Sequence, residues 1–256
     1  MTFNGDFTYF LLILARMSGC IFFNPIFGRN SIPAILKTSL TVLLSATVYG
    51  LLPLENDLII NTVLEYAIII IKELFIGYLI GFIISMFFSV VVIAGEIIDM
   101  QIGMSMSQIY DPSSNMSMGI SGSFLNIFTM ILFFSAGGHL SLIEIFITSF
   151  KLIKIGVFLI PTDLFLNMVE LLSQILTYAL KLSLPIIAVE IIIEAGMGIL
   201  MKAIPQIQVF SVNVQLKLMV GMFLMVILVP TFSAFLQNMM TIMFDNIRNN
   251  LSLLMT

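Results

Sequence analysis

The sequence predicts an all-α membrane protein with about six long, partly kinked hydrophobic helices arranged in hairpins. Of its 256 residues, 60% are hydrophobic and 9% are charged, whereas soluble domains carry roughly a quarter charged residues. The mean hydropathy is +1.15, and 23 phenylalanines supply more apolar surface than one soluble core would bury. Long uncharged runs complete the pattern, because a bilayer is the solvent in which such helices are stable.

Residues 74–95 form the clearest predicted membrane-spanning helix. Charged residues flank this uncharged run, with Lys72 and Glu73 before it and Glu96 after it. A helix of this length, rising about 1.5 Å per residue, crosses a hydrocarbon core of about 30 Å. The run is therefore expected to span the membrane.

The other apolar runs differ in regularity. Residues 38–54 and 218–244 are also long enough to span, and the second contains Pro230, which membrane helices tolerate when neighbours satisfy the freed carbonyl. Three runs are shorter or interrupted: residues 7–27 contain Arg16, residues 123–143 break at Gly137 and Gly138, and residues 143–160, with Glu144, Lys151 and Lys154, are predicted to be amphipathic.

Residues 164–204 have a helical pattern with a predicted kink at Pro185, but they carry several charges. Four of these charges together would cost roughly 10 kcal/mol in lipid, at about 2.5–3.5 kcal/mol each. No unlike charges lie three or four residues apart on one helix face, where they would pair. We therefore expect these four residues to contact another segment or another subunit: Lys181, Glu190, Glu194 and Lys202.

Polar residues cluster where the run 74–95 ends. Glu96 and Asp99 are three residues apart and share a helix face, followed by Gln101 and Gly103. Two interpretations remain open from the residues alone. The carboxylates are either solvated at a membrane interface or form a polar face toward a water-filled path, since irregular backbone at membrane depth survives only in protein or along a cavity.

A loop rich in turn formers and methionine follows this polar helix end. Asp111 and Pro112 predict a turn, because the residue before a proline avoids the α region. Five methionines lie at the helix end and in this loop: Met100, Met104, Met106, Met116 and Met118. Unbranched thioethers repack easily, so these methionines suit either a deformable seal or ordinary packing.

The residues favour a noncatalytic protein without metal or cofactor. The chain has one histidine and no glycine loop with lysine for phosphate binding. Cys20 is the single cysteine, so no internal disulfide is possible, and the net charge of −4 without a basic run makes nucleic acid an unsuitable partner. Neither an internal repeat nor a long linker is evident, which predicts one domain over residues 1–256.

The order of several motifs resembles the FliR family of flagellar export-gate proteins, known in injectisomes as SctT. The central match is GEIIDMQIGMSMSQIYDP at residues 95–112, followed by GGHLSLIEIFITSF at residues 137–150. Further matches are Arg16 through residues 24–28 to Pro33, the helix of residues 73–81, and a late motif containing Pro205, Gln206, Phe210 and Lys217.

This resemblance implies a gate subunit in the inner membrane at the flagellar basal body. Such a subunit has a FliP-like part followed by a FliQ-like helical hairpin. It assembles with FliP-like and FliQ-like subunits, joined by FlhB-like and FlhA-like proteins and served by a cytoplasmic ATPase, and unfolded flagellar proteins pass through the channel. The resemblance also implies that a central loop, residues 104–118, plugs the closed channel, with Met104, Met106, Tyr110, Asp111, Pro112, Met116 and Met118 in it.

Two alternatives remain from the sequence. The first is an injectisome gate subunit, which has the same physics and a different cargo. The second is a secondary transporter in which Lys181, Glu190 and Glu194 bind a small solute or proton, because charges within membrane segments are often functional. An inverted repeat would favour the transporter, and the sequence has no detectable one.

Overall fold

The computed structural model describes residues 6–51, 62–105, 119–156, 161–203 and 209–254. All regular secondary structure in these ranges is helical, which confirms the predicted fold class. The eight helices are α1 (Asp6–Phe22), α2 (Ala34–Leu51), α3 (Val63–Ile102), α4 (Ile120–Ser135), α5 (Gly138–Leu152), α6 (Thr162–Ala203), α7 (Val209–Ile227) and α8 (Val229–Leu253).

Helices α3 and α6 are much longer than a membrane span requires. They contain 40 and 42 residues, which corresponds to about 60 Å each, twice a hydrocarbon core of about 30 Å. Helix α3 begins at Val63, not near residue 74 as the flanking charges suggested, because the Glu73 side chain is buried and does not end the helix. Helix α6 continues through Pro185.

Two pairs of helices are single apolar runs that break. The run predicted at residues 123–143 breaks at Gly137, whose φ of +73° suits glycine. Helices α7 and α8 are bent by 60°, and the break falls before Pro230, which lies in the first turn of α8 where proline is tolerated. Counting each broken pair once reduces the eight helices of the described residues to six, and about six were predicted from the sequence.

The apolar helices can cross a membrane several times. By length and composition, three described helices qualify as spans, or up to five when each bent pair counts as one span. Helix α5 begins before the amphipathic segment predicted at residues 143–160 and ends at Leu152. The chain is thus a multi-pass membrane protein.

Chain contacts divide the protein into two compact units. The first contains residues Met1–Phe87, Gly137–Glu170 and Thr241–Thr256, and the second contains Phe88–Ala136 and Leu171–Met240. The first unit therefore includes α1, α2 and α5, and the second includes α4 and α7, while α3, α6 and α8 contribute to both. A single domain over residues 1–256 stays a prediction.

Glycines bring α1 and α3 into backbone contact in the first unit. A Cβ added to Gly77 would lie 2.8 Å from the Cys20 backbone nitrogen and 2.9 Å from Gly19 Cα. A Cβ on Gly81 would lie 2.9 Å from the Phe23 carbonyl carbon. Small residues four apart thus allow close helix packing here, whereas Ser85, the next residue of the pattern, is exposed.

A buried ion pair joins α1 to α3. Arg16 Nε lies 2.6 Å from Glu73 Oε2, and neither side chain is exposed to solvent. The second carboxylate oxygen of Glu73 accepts a hydrogen bond of 3.0 Å from the Gly156 backbone N–H. We call this group, with its carbonyl partners, the Arg16–Glu73 cluster.

The same guanidinium also binds the end of α5. Arg16 Nη1 donates to the Ser149 carbonyl at 2.8 Å, and both Nη atoms lie 3.1 Å from the Ile153 carbonyl oxygen. The guanidinium carbon lies 4.3 Å from the centre of the Phe150 ring. One side chain therefore connects α1, α3 and the C-terminal end of α5.

We expect Arg16→Met to destabilise the protein by about 3–5 kcal/mol, because it leaves the Glu73 charge buried and unpaired. Adding Glu73→Gln to this variant should cause no further loss, since the uncompensated charge is removed. Cys20 is buried in the wild-type protein, so its alkylation with rising temperature, quantified by mass spectrometry on membranes, measures unfolding.

Arg248→Met is the matched control for this experiment. Arg248 Nη1 lies 3.9 Å from Asp245 Oδ1, and both side chains are mostly exposed. Such a pair contributes at most about 1 kcal/mol. Equal protection of Cys20 in the Arg16→Met and Arg248→Met variants would contradict a stabilising role for the cluster.

We expect Gly77→Ala to destabilise the protein by about 1–3 kcal/mol, since backbone atoms of α1 occupy the position of the new methyl group. Gly50→Ala is the control, because a Cβ at Gly50 meets nothing within 4 Å. Alanine there should stabilise helix α2 by about 0.5–1 kcal/mol. Thermal alkylation of Cys20 distinguishes the two, and a stable Gly77→Ala variant would argue against close packing of α1 on α3.

Candidate functional site

The two carboxylates at the end of α3 contact the start of α4. Glu96 Oε1 accepts a hydrogen bond of 3.1 Å from the Gly119 N–H, and both Asp99 carboxylate oxygens lie 3.2 Å from the Ser121 nitrogen. Gly119 is the N-cap of α4 and no side chain of α4 itself caps it. The first N–H groups of a helix lack intrahelical acceptors, and the helix dipole favours negative charge there. Glu96 and Asp99 therefore cap α4.

Glycines allow this contact by bringing the backbones of α3 and α4 together. A Cβ added to Gly95 would collide with backbone atoms of Gly122 and lie 3.2 Å from the Ser121 carbonyl carbon. A Cβ on Gly119 would collide with the Asp99 carboxylate. We call this arrangement the α3–α4 junction. It places Asp99 in a buried position and Glu96 in a half-buried one.

The junction holds the two ends of the central loop close to each other. Gly103 ends α3 with a φ of +90° and donates its N–H to the Asp99 carbonyl at 3.1 Å. Gln101 and Met104 are half-buried. The remaining predicted plug residues, Met106, Tyr110, Asp111, Pro112, Met116 and Met118, lie outside the described residues, so the plug stays a prediction.

One of the charges predicted to contact other elements has a partner on α7. Lys217 Nζ lies 3.2 Å from Glu194 Oε2, with Lys217 largely buried and Glu194 mostly exposed. Lys217 appeared in the sequence only as part of the late family motif. A spacing rule for one helix could not find this pair, because its members are 23 residues apart on two helices.

Glu190 has a different environment from Glu194, which is one helical turn away. Its side chain is fully buried, and neither carboxylate oxygen has a hydrogen-bond partner among the described residues. Lys217 and Glu194 are the charged groups that act on it. Lys217 is the cation near Glu190, but its ammonium group already pairs with Glu194.

Lys181 and Lys202, the other two charges predicted to contact another segment or subunit, are exposed. Lys181 Nζ lies 5.7 Å from the centre of the Tyr178 ring, which contacts Phe235 edge to face. Lys202 lies in the last turn of α6, where the helix dipole favours a cation. Of the late motif, Pro205 and Gln206 lie outside the described residues, and the backbone of Phe210 belongs to α7. Contacts of these residues with other subunits stay a prediction.

Helix α6 is little covered by its own chain. In its most apolar window 17% of the residues are buried, compared with 67% for α3. The leucines Leu172, Leu176, Leu180 and Leu184 recur every four residues and are each more than half exposed. Lipid or other protein subunits must cover this apolar face, since an exposed patch of this kind is unfavourable in water.

The described residues contain no group of three or more His, Cys, Asp or Glu side chains that could hold a metal ion. The chemistry that the observed groups support is charge pairing and helix capping. Both the α3–α4 junction and the Glu194–Lys217 pair connect helices, and neither includes an activated nucleophile.

Comparison with known proteins identifies one family. The sequence profile described as "Bacterial export proteins, family 1" matches residues 7–243. The flagellar biosynthetic protein FliR of Buchnera aphidicola subsp. Acyrthosiphon pisum is 30% identical over 227 residues, 89% of this chain and 87% of the relative. FliR of Escherichia coli K12 is 28% identical over 232 residues, 91% of this chain and 88% of the relative.

A protein with a different name matches as well. The surface presentation of antigens protein SpaR of Shigella flexneri is 25% identical over 216 residues, 84% of this chain and 82% of the relative. Because the profile covers residues 7–243 and these relatives align over most of their own lengths, the chain belongs to the bacterial export proteins of family 1, the FliR and SctT family.

Proposed function

We propose that the chain is a noncatalytic core subunit of the flagellar type III export gate. In this proposal it forms a channel with FliP-like and FliQ-like subunits in the inner membrane at the basal body, and FlhB-like and FlhA-like proteins join it. Unfolded flagellar proteins pass through the channel during flagellum assembly. Family membership supports this role, and the structural observation that carries it is the uncovered, charge-bearing helix α6.

Helix α6 has properties that suit a subunit of a complex better than a monomer. It is about 60 Å long, its leucine face is exposed, and it carries the exposed Lys181 within an apolar run. Lipid would cover the leucines but not this charge, which costs about 2.5–3.5 kcal/mol at the bilayer centre. Neighbouring subunits supply both apolar contacts and polar partners, so assembly stabilises the helix.

The α3–α4 junction gives the proposed plug a fixed base. Glu96 and Asp99 hold Gly119 and Ser121, so the chain leaves α3 and returns to α4 near the same place. In this proposal the central loop closes the channel between these two fixed ends. Its methionines suit that role, because thioether side chains repack at low cost.

The cargo distinguishes the main proposal from the injectisome alternative. SpaR matches at 25% identity over 84% of the chain, whereas two FliR proteins match at 28% and 30% over 91% and 89%. The flagellar assignment is therefore favoured. A small-solute transporter has no comparable support, since Glu194 and Lys217 pair with each other.

We expect deletion of residues 105–117 to raise the ion conductance of reconstituted gate complexes, because the proposed plug is removed. Asp99→Ala should raise conductance less, since it removes one cap of the junction and leaves the loop in place. Planar-bilayer recording of the purified complexes measures both. A Gly/Ser loop of equal length is the control for chain connectivity, and unchanged conductance on deletion would contradict the plug.

We expect Leu176→Ala combined with Leu180→Ala to reduce co-purification with FliP-like and FliQ-like proteins severalfold, because the pair removes apolar area from the exposed face of α6. Pull-down from detergent-solubilised membranes measures this loss. Alkylation of Cys20 at low temperature should remain as slow as in wild type, which separates lost assembly from misfolding. A wild-type chain that is a stable monomer and transports a small solute alone would refute the gate assignment.

A further inference from the structure

An apolar groove lies in the first unit between α3 and the beginning of α6. Its volume is about 590 Å³, within the range of about 300–1,000 Å³ typical of ligand pockets. The α3 side contributes Phe75, Tyr78 and Phe82, and the α6 side includes Leu164 and Phe165. We call it the α3–α6 groove.

Aromatic contacts hold the α3 wall of this groove in place. The Tyr78 ring meets the Phe23 ring edge to face at 4.8 Å and stacks on the Phe82 ring at 5.7 Å. On the opposite wall Phe165 is 73% exposed, so nothing in the described chain covers it. The groove is therefore a preformed apolar surface and not a gap between loosely packed side chains.

Lysines lie at one end of the groove. Lys72 precedes Phe75 by one helical turn on α3 and is half-buried. Lys151 in the last turn of α5 and Lys154 just beyond it are exposed. The hydrogen bond from the Gly156 N–H to Glu73 brings this end of α5 to the level of Lys72 on α3.

Lys72 and Lys151 carry positive charge at this end. Glu73 does not cancel it, because Arg16 already neutralises Glu73 at 2.6 Å. Asp163 in the first turn of α6 is a carboxylate on the α6 side. Long lysine side chains reach from apolar surroundings toward the headgroup region of a bilayer, where they meet phosphate.

We propose that the α3–α6 groove binds one acyl chain of an anionic phospholipid whose phosphate contacts Lys72 and Lys151. A single acyl chain fits a groove of this volume, whereas a helix is about 10–12 Å across and would rest on its rim. The lysines select an anionic headgroup over a zwitterionic one. This site rests on membrane insertion of the chain and does not depend on the export function.

The test uses nanodiscs of phosphatidylethanolamine that contain the full chain with its native associates. The probe is phosphatidylglycerol that carries a photoreactive diazirine in its acyl chain. Mass spectrometry should find the label on residues 75–82 and 161–168. Lys72→Gln and Lys151→Gln should each reduce labelling about fivefold, since a lysine near a lipid surface contributes about 1 kcal/mol. Leu166→Trp, which places a larger side chain in the groove lining, should reduce labelling as well.

Arg248→Gln is the matched control, since Arg248 is a mostly exposed cation on α8, which contributes none of the described residues that line the groove, and its labelling should equal that of wild type. Slow alkylation of Cys20 verifies that each variant is folded. Equal labelling by a diazirine phosphatidylcholine would overturn the proposal, as would crosslinks from the groove to another protein in place of lipid. If no acyl-chain labelling of the groove is found and the lysines bind millimolar inorganic phosphate, the lysines form a site for free phosphate. That result would also overturn the proposal.

Discussion

Polar groups inside an apolar chain must find partners within the protein, and the Arg16–Glu73 cluster shows how strongly this constraint shapes the fold. A guanidinium has five N–H donors in a planar arrangement. Arg16 directs them at the Glu73 carboxylate and at the Ser149 and Ile153 carbonyls at the end of α5. The Ser149 carbonyl also accepts the Ile153 N–H at 3.0 Å. One charged residue thereby satisfies two kinds of acceptor and determines where three helices meet.

The same constraint applies at the α3–α4 junction, where the charges that meet the helix end are negative and not positive. At the C-terminal end of α5 the backbone groups are carbonyls that accept from a cation, whereas at the start of α4 they are N–H groups that donate to Glu96 and Asp99. Each charge thus also complements the helix dipole. Glycines are required beside both sites, because a charge reaches a neighbouring helix end only when the backbones approach closely.

Sequence reasoning found the helices but not their ends or partners. Hydrophobic runs show where an apolar helix forms, and the breaks at Gly137 and near Pro230 carry a backbone signal. Glu73 appeared to end a span because the sequence cannot show that Arg16, 57 residues earlier, neutralises it. Lys217 was missed as the partner of Glu194 for the same reason, since spacing rules describe neighbours on one helix face and long-range pairing depends on tertiary structure.

Glu190 and Glu194 of α6 show why the charges of an apolar helix differ in their energy. Glu194 is mostly exposed and has Lys217, so a neighbouring subunit changes its energy little. Glu190 is buried without a hydrogen-bond donor among the described residues, a state that is costly for an ionised carboxylate. Such a group is stable only when it is uncharged or when a donor is brought to it. Of the two, Glu190 is therefore the one whose burial is costly.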